Sequence, residues 1–552
     1  MPALRLTRSR FALALLTGTT SLALATHHAR ADEYTDLLDI LRLKGSLTKS
    51  EYDGLMTKHT RHMRADASAA RHASPEPEER EARAQTASGS NTHSHHVLRS
   101  ASHRTELAGN DSDAALFQAQ DAARRAEASA DAAQQALASA RAEYHSPSIV
   151  RVSDYVPGKG ITFHAGQIDL NFSGFVNGFY TFNNPGGGTP VAGGVANGAS
   201  GFDSSAVRNG LLPAGMLIKI STTQEGWDMS ANFGLYPGIN NNKPGAFNAN
   251  SGGSAVGLGT AGLDVRQVFA TFGRKDVGTF KVGRDLALFG GDAILNDATL
   301  LSVGSTGSNT APANTSLGRI GVGYVYADWI PQISYMSPKW KGLQGTIGIF
   351  EPLDEYNFAG GGYSAGNTQH SSPMVQGKVT YDFNIGDVTA RIWSSFLVQH
   401  QQALLGAGIN PSAKRGQTAA AADIGTKVTY GPLEGVAYYY YGNGLGTTGL
   451  FFDGIAANGR KRDSEGYYVQ MAYKILPKLK LVGSYGQSNL YQAPGEITPL
   501  LVRRNESEVG AAYYNLTDWL TLMAEYAHTT SLAHGPDHNK DNTISVGAAI
   551  FF

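Results

Sequence analysis

The sequence contains no cysteine, almost no net charge and no long hydrophobic run. The absence of Cys from all 552 residues excludes a disulfide scaffold, an iron–sulfur cluster, a thiolate zinc site and a cysteine nucleophile. Lys and Arg number 45 against 46 Asp and Glu, so no basic excess is available for nucleic acid and none is expected as a partner. No apolar run reaches the roughly 18 residues of a transmembrane helix. This absence does not exclude a transmembrane β-barrel, because the strands of a barrel alternate in polarity.

The N-terminus has the order of a secretory signal peptide. Over residues 1–31, basic residues precede an apolar stretch, and two small-x-small sites follow. The apolar part, residues 11–25, is too short for a comfortable transmembrane helix, which disfavours an uncleaved anchor. The mature chain is expected to begin near Asp32.

The next two segments differ in their capacity for order. Residues 32–58 contain an apolar patch and a capping-box spacing at Thr48 to Glu51, which predict a short helical hairpin. Residues 59–111 hold few large apolar side chains and predict a disordered polar linker. This linker contains a histidine group, His93, His95 and His96. A metal site is the alternative interpretation of that group.

Residues 112–146 carry a heptad pattern with apolar residues at both seam positions. Such a narrow stripe is typical of a coiled coil, so we expect an oligomeric one. A lone helix is the alternative, because alanine buries little area. The seam comprises Leu116, Ala119, Ala123, Ala126, Ala130, Ala133, Leu137, Ala140 and Tyr144.

After Gly160 the apolar period changes to two. Residues 167–182 alternate between a largely apolar face and a largely polar face, and the same alternation recurs at 227–235, 375–383 and 543–552. Segments of about 10 residues with this pattern have the length of transmembrane β-strands.

The links between these segments have two sizes. Seven short turns alternate with eight longer Gly-, Asn- and Ser-rich stretches, near 183–211, 237–262, 287–331, 351–373, 401–420, 442–463, 489–503 and 529–540. This count predicts an all-β transmembrane barrel of 16 antiparallel up-and-down strands over residues 161–552. Residues 318–328 also alternate, but an odd strand count would misplace the last strand, so we assign them to an inward-folded third loop. A soluble β-sandwich is the alternative, although such regular long loops are unusual there.

Three local patterns resemble the Gram-negative general porins. They are the strand 276–284 ending in Gly283-Arg284, the turn 335–343 around Ser337-Pro338, and the terminal Phe552 on an alternating strand. The resemblance implies an outer-membrane trimer with Arg284 at the constriction. Phe289 to Asp292 is similar to a constriction-loop motif, but Leu288 stands where the family has Glu. The helical N-terminal region resembles the periplasmic arms of some phosphate-selective and related trimeric porins.

Strand register predicts which charged side chains face the lumen. An acidic arc of Asp169, Glu506, Glu508 and Glu525 facing a basic arc would produce a transverse field across the pore. Simple hydration of the wall is the alternative, because a register error of one residue exchanges the faces. The predicted cations are Lys219, Lys281, Lys378, Arg391, Lys427, Lys474 and Lys480, and the predicted anions are Asp169, Asp228, Asp382, Asp423, Glu506, Glu508 and Glu525. The site hypothesis combines ten residues, namely Arg284, Lys281, Arg391, Lys219, Lys378, Lys427, Asp292, Glu506, Glu508 and Glu525.

These patterns predict an outer-membrane porin for passive diffusion of small hydrophilic solutes and ions, without cofactor, metal or catalytic site. Its expected surroundings are outer-membrane lipid and lipopolysaccharide, and its expected assembly is a homotrimer with a periplasmic N-terminal arm. The alternatives are a substrate-specific channel for sugar, organic anion or phosphate and, more remotely, a barrel enzyme or polymer-export barrel. Residues 257–262 match G-x-G-x-x-G but precede a predicted strand, so they lack the helix that binds a dinucleotide phosphate. The tyrosines at 438–441 and 467–468 are interpreted as interfacial girdles, with sugar stacking as the alternative.

Overall fold

The structure is a computed structural model that describes residues 150–196, 203–239, 263–305, 315–366, 369–405 and 416–552. The predicted signal peptide, helical hairpin, linker and coiled coil lie outside these residues and stay predictions. Within the described ranges, no helix has both the length and the apolar character needed to span a bilayer.

Nineteen antiparallel strands form one sheet in the described part of the chain. They are β1 Arg151–Val152, β2 Ile161–Ala165, β3 Ile168–Gly188, β4 Ser204–Arg208, β5 Gly215–Gln224, β6 Trp227–Pro237, β7 Leu263–Arg274, β8 Gly278–Leu286, β9 Trp329–Met336, β10 Leu343–Phe350, β11 Met374–Ile385, β12 Val388–Gln401, β13 Gln417–Tyr430, β14 Leu433–Asn443, β15 Asp463–Leu476, β16 Leu479–Leu490, β17 Val502–Asn515, β18 Leu520–Ala533 and β19 His538–Phe551.

The sheet closes into a barrel where β19 pairs with β3, from Phe551 opposite Phe175 to Asn539 opposite Gly188. The barrel wall consists of β3 and β5 to β19, which is 16 strands and confirms the predicted fold class. Two further strands supplement the ends of β3. β2 pairs with its beginning, and β4 pairs with residues 179–183.

The wall alternates between buried inward positions and exposed outward positions. Outward Val176, Ile347, Ile424 and Val546 are each more than half exposed in the isolated chain. Exposed apolar side chains in this number would be unfavourable in water, whereas they suit contact with lipid. Alternate positions on the same strands point inward, and the main apolar cluster lies inside the barrel.

The two ends of the barrel differ as the sequence predicts. Tight turns connect the strands at one end, and one of the two-residue turns places Glu225 and Gly226 at positive φ angles of 51° and 79°. Two successive positive φ values match the right-handed twist of a two-residue hairpin. At the other end are loops 1 to 8, which comprise 189–214, 238–262, 287–328, 351–373, 402–416, 444–462, 491–501 and 534–537.

The prediction of a long eighth loop at 529–540 is wrong. β18 continues to Ala533 and β19 begins at His538, so only residues 534–537 link them. At the long-loop end, both strands carry polar side chains on both faces. The composition of these strand ends therefore resembles that of a loop. The alternating segment 318–328 does lie in loop 3, as predicted, where it forms isolated bridges, such as Tyr326 with Gly449, and no regular strand.

Candidate permeation pathway

Loop 3 folds into the barrel and narrows its lumen. It contains a short helix, α1 (Gly291–Leu295), and a 3₁₀ turn at Ala298–Leu300. Phe289 and Val325, near its two ends, are fully buried. Because a 16-stranded barrel is wide enough to leave an aqueous channel, the course of this loop determines how much of the channel is open.

The first part of loop 3 is held by side chains of β11 and β13. The N–H groups of Leu288 and Phe289 donate to Oε1 of Gln376 at 3.0 and 2.9 Å. The N–H group of Gly290 donates to Oδ2 of Asp423 at 3.0 Å. These acceptors supply the partners that an irregular buried backbone needs.

β15 and β17 hold the helical part of the loop. The Tyr468 hydroxyl donates to the carbonyl of Ala293 at 2.9 Å, and the Tyr513 hydroxyl donates to that of Ala298 at 2.6 Å. The N–H group of Ala298 donates to Oε1 of Gln470 at 2.7 Å. Both backbone polar groups of Ala298 are thus bound to the barrel wall.

Glu525 of β18 is the next attachment point. Its carboxylate accepts hydrogen bonds from the Ser302 hydroxyl and from the N–H groups of Val303 and Gly304. Burial of a carboxylate is costly unless donors surround it, and loop 3 supplies these donors. Glu525 therefore fixes the loop in place.

Arg319 lies on the returning part of loop 3 and is fully buried. Its Nη1 donates to the Ser484 hydroxyl, and its guanidinium carbon lies 5.5 Å from the ring centre of Tyr468. Within the described part of the chain, Nε and Nη2 have no hydrogen-bond partner. The wall leaves room for the guanidinium at Gly486, where a Cβ would clash with Nη2. Both of these nitrogens are therefore buried donors inside the barrel that have no partner among the described residues.

The half of the lumen near the short turns contains paired charges. Arg391 donates two hydrogen bonds to Asp382, one of them from Nη2 at 2.7 Å, and Nζ of Lys339 lies 2.7 Å from the same carboxylate. Lys427 pairs with Glu434 at 3.0 Å. The Arg391 side chain is 32% exposed, so this part of the wall is in contact with water.

Apolar side chains fill much of the lumen beside loop 3. One buried cluster joins Phe289 and Tyr324 of the loop with Trp393 and Tyr440 of the wall and Phe451 of loop 6. This apolar cluster occupies part of the cross-section of the barrel. The pathway is therefore a constricted one.

The architecture agrees with a comparison against known families. The family model described as Gram-negative porin matches residues 160–534, which is more than half of the chain. The chain belongs to the Gram-negative porin family. It is an outer-membrane channel for passive diffusion.

Solved structures of outer-membrane proteins match this chain at low sequence identity. The outer membrane channel DcaP of Acinetobacter baumannii has a TM-score of 0.51 and 17% identity, over 70% of this chain and 97% of that chain. Salmonella typhi OmpF in complex with daunomycin has a TM-score of 0.45 and 12% identity, over 70% and 98%. The anion-selective porin from Comamonas acidovorans has a TM-score of 0.43 and 10% identity, over 70% and 100%. A comparison with curated proteins found no match.

Inward positions of this porin hold most of the charged residues named from the sequence. Lys281 lies 2.6 Å from Asp285, and Lys378 lies 3.1 Å from Asp292 of helix α1. Asp292 is therefore an anchor of loop 3 to the wall. The other inward members of the site hypothesis are Lys219, Arg391, Lys427 and Glu525.

Three members of that hypothesis occupy outward positions, contrary to prediction. Glu506 and Glu508 alternate with buried Ser507, and Glu508 pairs across the sheet with outward Tyr485. Arg284 stands opposite Val268, which is 42% exposed, and donates to a backbone carbonyl. Near the long loops, polar residues occupy both faces of the wall, so polarity does not reveal the register there.

The predicted transverse field loses most of its acidic arc as a result, since of the four carboxylates only Asp169, which bonds to His164, is inward and not bound by loop 3. Glu506 and Glu508 point away from the lumen, and Glu525 is bound by loop 3. The charged groups that remain in the lumen are largely paired with one another. Hydration of the wall, the alternative, fits this arrangement better.

Neutralisation of the two outward carboxylates should leave ion selectivity unchanged. In the double variant Glu506→Gln, Glu508→Gln, the lost charges face away from the lumen, and salt screens them over about 10 Å. The reversal potential in a salt gradient across a planar bilayer should equal that of the wild type. Asp382→Asn, which alters a carboxylate inside the lumen, is the positive control. A clear shift in the double variant would restore both residues to the pore.

The tyrosine run at 438–441 is divided between the two faces. Tyr439 and Tyr441 are outward and more than 40% exposed, whereas Tyr438 and Tyr440 are buried inside. The two outward tyrosines suit an interfacial girdle, and the two inward tyrosines belong to the buried cluster that includes loop 3. The sequence interpretation as a girdle therefore describes only the outward half of this run.

A buried polar cluster joins loops 4, 6 and 7. Arg462 forms two hydrogen bonds with Glu496, at 2.9 and 2.6 Å, and another with the Ser364 hydroxyl at 2.8 Å. The Ser364 hydroxyl also donates to Asp453 at 2.6 Å. Glu355 accepts from the N–H group of Ile455 at 2.6 Å. The cluster thus links three loops above the lumen.

This cluster should loosen as pH rises above the ordinary carboxyl pKa. Burial raises the pKa of Asp453 and holds the pKa of Glu355 well above its usual range. A group whose pKa is raised by folding stabilises the fold while protonated, and that stabilisation is lost as pH rises through the folded pKa. Limited proteolysis of loops 4 and 6 should therefore accelerate as pH rises from the ordinary carboxyl pKa through the raised pKa values of these two groups.

The variant Glu355→Gln should weaken that pH dependence, because an amide keeps the acceptor for Ile455 and does not ionise. Glu496→Gln is the matched control. Burial alone would raise the pKa of Glu496, but its hydrogen bonds and charge interaction with Arg462 outweigh burial and lower it. Its contribution to stability is present above its ordinary pKa and fades at acid pH. Cleavage rates that do not depend on pH in the wild type would refute this account of the cluster.

Proposed function

We propose that this porin conducts small hydrophilic solutes and ions through a narrowed pathway, and that it has no catalytic role. The observation that carries the proposal is the attachment of loop 3 to several strands of a closed barrel, beside partly exposed charges such as Arg391. A barrel built for transport of a large polymer would need a wider opening. The one nucleotide-binding pattern in the sequence, at residues 257–262, is followed by strand β7.

A second candidate, preference for small organic anions, is favoured by Arg319. Its Nε and Nη2 groups are buried donors without a partner in the described part of the chain. A guanidinium is well suited to bind carboxylate or phosphate oxygens. Asp297 of the same loop interacts with this charge, so we expect moderate anion preference.

For the assembly we propose a homotrimer surrounded by outer-membrane lipid and lipopolysaccharide, with the N-terminal arm in the periplasm. The family resemblance supports the trimer, and the coiled coil predicted for residues 112–146 would supply a second contact between subunits. The exposed apolar belt supports the contact with lipid. Cross-linking in native membranes, with and without residues 32–146, tests the contribution of the arm.

Conductance measurements in planar bilayers test the proposed permeation. The purified chain should insert as small conductance steps, grouped in threes if the trimer is correct, and a salt gradient should reveal modest anion preference. Large steps without selectivity would contradict the constriction. A strongly cation-selective reversal potential would contradict the second candidate alone.

A further inference from the structure

Three neighbouring strands carry buried polar atoms that lack a partner. Within the described part of the chain, no hydrogen bond reaches the hydroxyls of Ser507, Thr529 and Ser545, Nδ2 of Asn505 or Oδ1 of Asn539. All five residues are at most 4% exposed. They lie at inward positions of β17, β18 and β19. We call these five residues the hydroxyl track.

Four members of the hydroxyl track are neighbours in the sheet, and Ser545 lies further along β19, beyond Thr543. Ser507 stands directly opposite Thr529. Asn505 and Asn539 flank Ser531 from its two sides. Ser545 stands opposite Glu525, the residue that holds loop 3. The separation of Asn539 and Ser545 corresponds to about 20 Å along β19, so the track runs from the long-loop end to the level of the constriction.

Loop 1 covers the upper part of the track. The N–H groups of Val195 and Ala196 each donate to the Ser531 hydroxyl at 3.0 Å. The N–H group of Val195 also donates to Oδ1 of Asn505 at 3.3 Å. The track is therefore a seam between the wall and loop 1.

Polar atoms buried in this way are unfavourable unless water or a solute binds them. Their grouping on three adjacent strands, on the inner wall of a channel, indicates a hydrated seam. Replacing such water by solute hydroxyls costs little, because both groups donate and accept.

We propose that the hydroxyl track binds neutral polyhydroxylated solutes and guides them past loop 3. Hydroxyl and amide groups carry no charge, so they do not favour an ion of either sign. The nearby carboxylates already have partners within the protein. Glu525 accepts hydrogen bonds from loop 3, and Asp541 also has a partner. The inference deepens the proposed function and depends on it.

The test uses the triple variant Ser507→Ala, Thr529→Val, Ser545→Ala of the full chain in liposomes, with mannitol as the neutral solute. Mannitol-driven swelling should slow about fivefold through the loss of solute hydrogen bonds. Single-channel conductance in KCl should change much less. The substitutions remove no hydrogen bond within the described protein, so the barrel should fold normally.

The control variant is Thr271→Val, Ser334→Ala. These inward hydroxyls of β7 and β9 already bond to Ser230 and Gln332, so mannitol swelling should match the wild type. Equal swelling of the triple variant and the wild type, together with higher thermal stability of the triple variant, would show a dry seam and overturn the proposal. If liposomes that contain the wild-type protein neither swell nor conduct, the channel function itself would be refuted.

Discussion

Replacement of residues 291–324 by a short Gly-Ser linker should raise the single-channel conductance by roughly threefold or more, since a 16-stranded barrel without an inner loop holds a wide aqueous lumen. Strand pairing closes the barrel without any contribution from loop 3, so the variant should keep its β-sheet content. Planar-bilayer recording gives the conductance, and circular dichroism checks the fold.

A milder variant tests the attachment of loop 3 to the wall while the loop itself is kept. Glu525→Gln keeps the loop but replaces the charged acceptor for Ser302, Val303 and Gly304. Charge-assisted hydrogen bonds are about twice as strong as neutral ones, so the loop should become more mobile. We expect increased current noise and a smaller rise in conductance. A folded linker variant with wild-type conductance would show that loop 3 is not the constriction.

The second large effect concerns charge selectivity. Arg319→Gln should lower the permeability of chloride relative to potassium by about fivefold, because a buried charge acts through a low effective dielectric. Asp297 would then be left without its nearby positive charge. The reversal potential in a KCl gradient measures the change.

Two variants complete this test. Arg319→Lys retains the charge and should retain most of the chloride preference, although it loses the fork of donors. Arg504→Gln removes an arginine that lies 3.8 Å from Glu506 on the outer face, so its reversal potential should not change. Wild-type selectivity in Arg319→Gln would exclude Arg319 from the pathway.

The strands and their closure can be predicted because the lipid environment imposes a strict alternation. In β11, for example, the sequence indicates that Val379 and Tyr381 face one way and Gln376 and Lys378 the other. The structure agrees: Val379 is 49% exposed, and Gln376 is fully buried inside. Turn composition then fixes the strand count.

The path of loop 3 cannot be predicted in the same way. Gln376, Asp423, Gln470 and Glu525 bind it from distant positions in the chain, 87 residues away for Gln376 and 221 for Glu525, and no local pattern connects such residues. Polar residues on inward strand positions are visible in the sequence, but which of them face water and which bind a loop depends on that path. Arg319 escapes prediction because it lies in a segment interpreted only as loop.

The errors at Glu506 and Glu508 have a different origin. Near the long loops, β17 carries polar residues on both faces, so the polarity of Glu506 and Glu508 does not show which face points into the lumen. A displacement of one residue exchanges inward and outward positions along a strand. The overestimate of loop 8 has the same cause, since its flanking strands are polar there.

Thiol labelling tests the central claim, that the alternating strands enclose a water-filled passage. The chain has no native cysteine, so Arg391→Cys and Ile392→Cys each introduce a single thiol on β12. A membrane-impermeant cationic methanethiosulfonate, applied to the channel in a bilayer, should modify the inward Arg391→Cys variant and reduce its current. The outward Ile392→Cys variant should not react. Rapid modification of Ile392→Cys, with Arg391→Cys unreactive, would contradict the account.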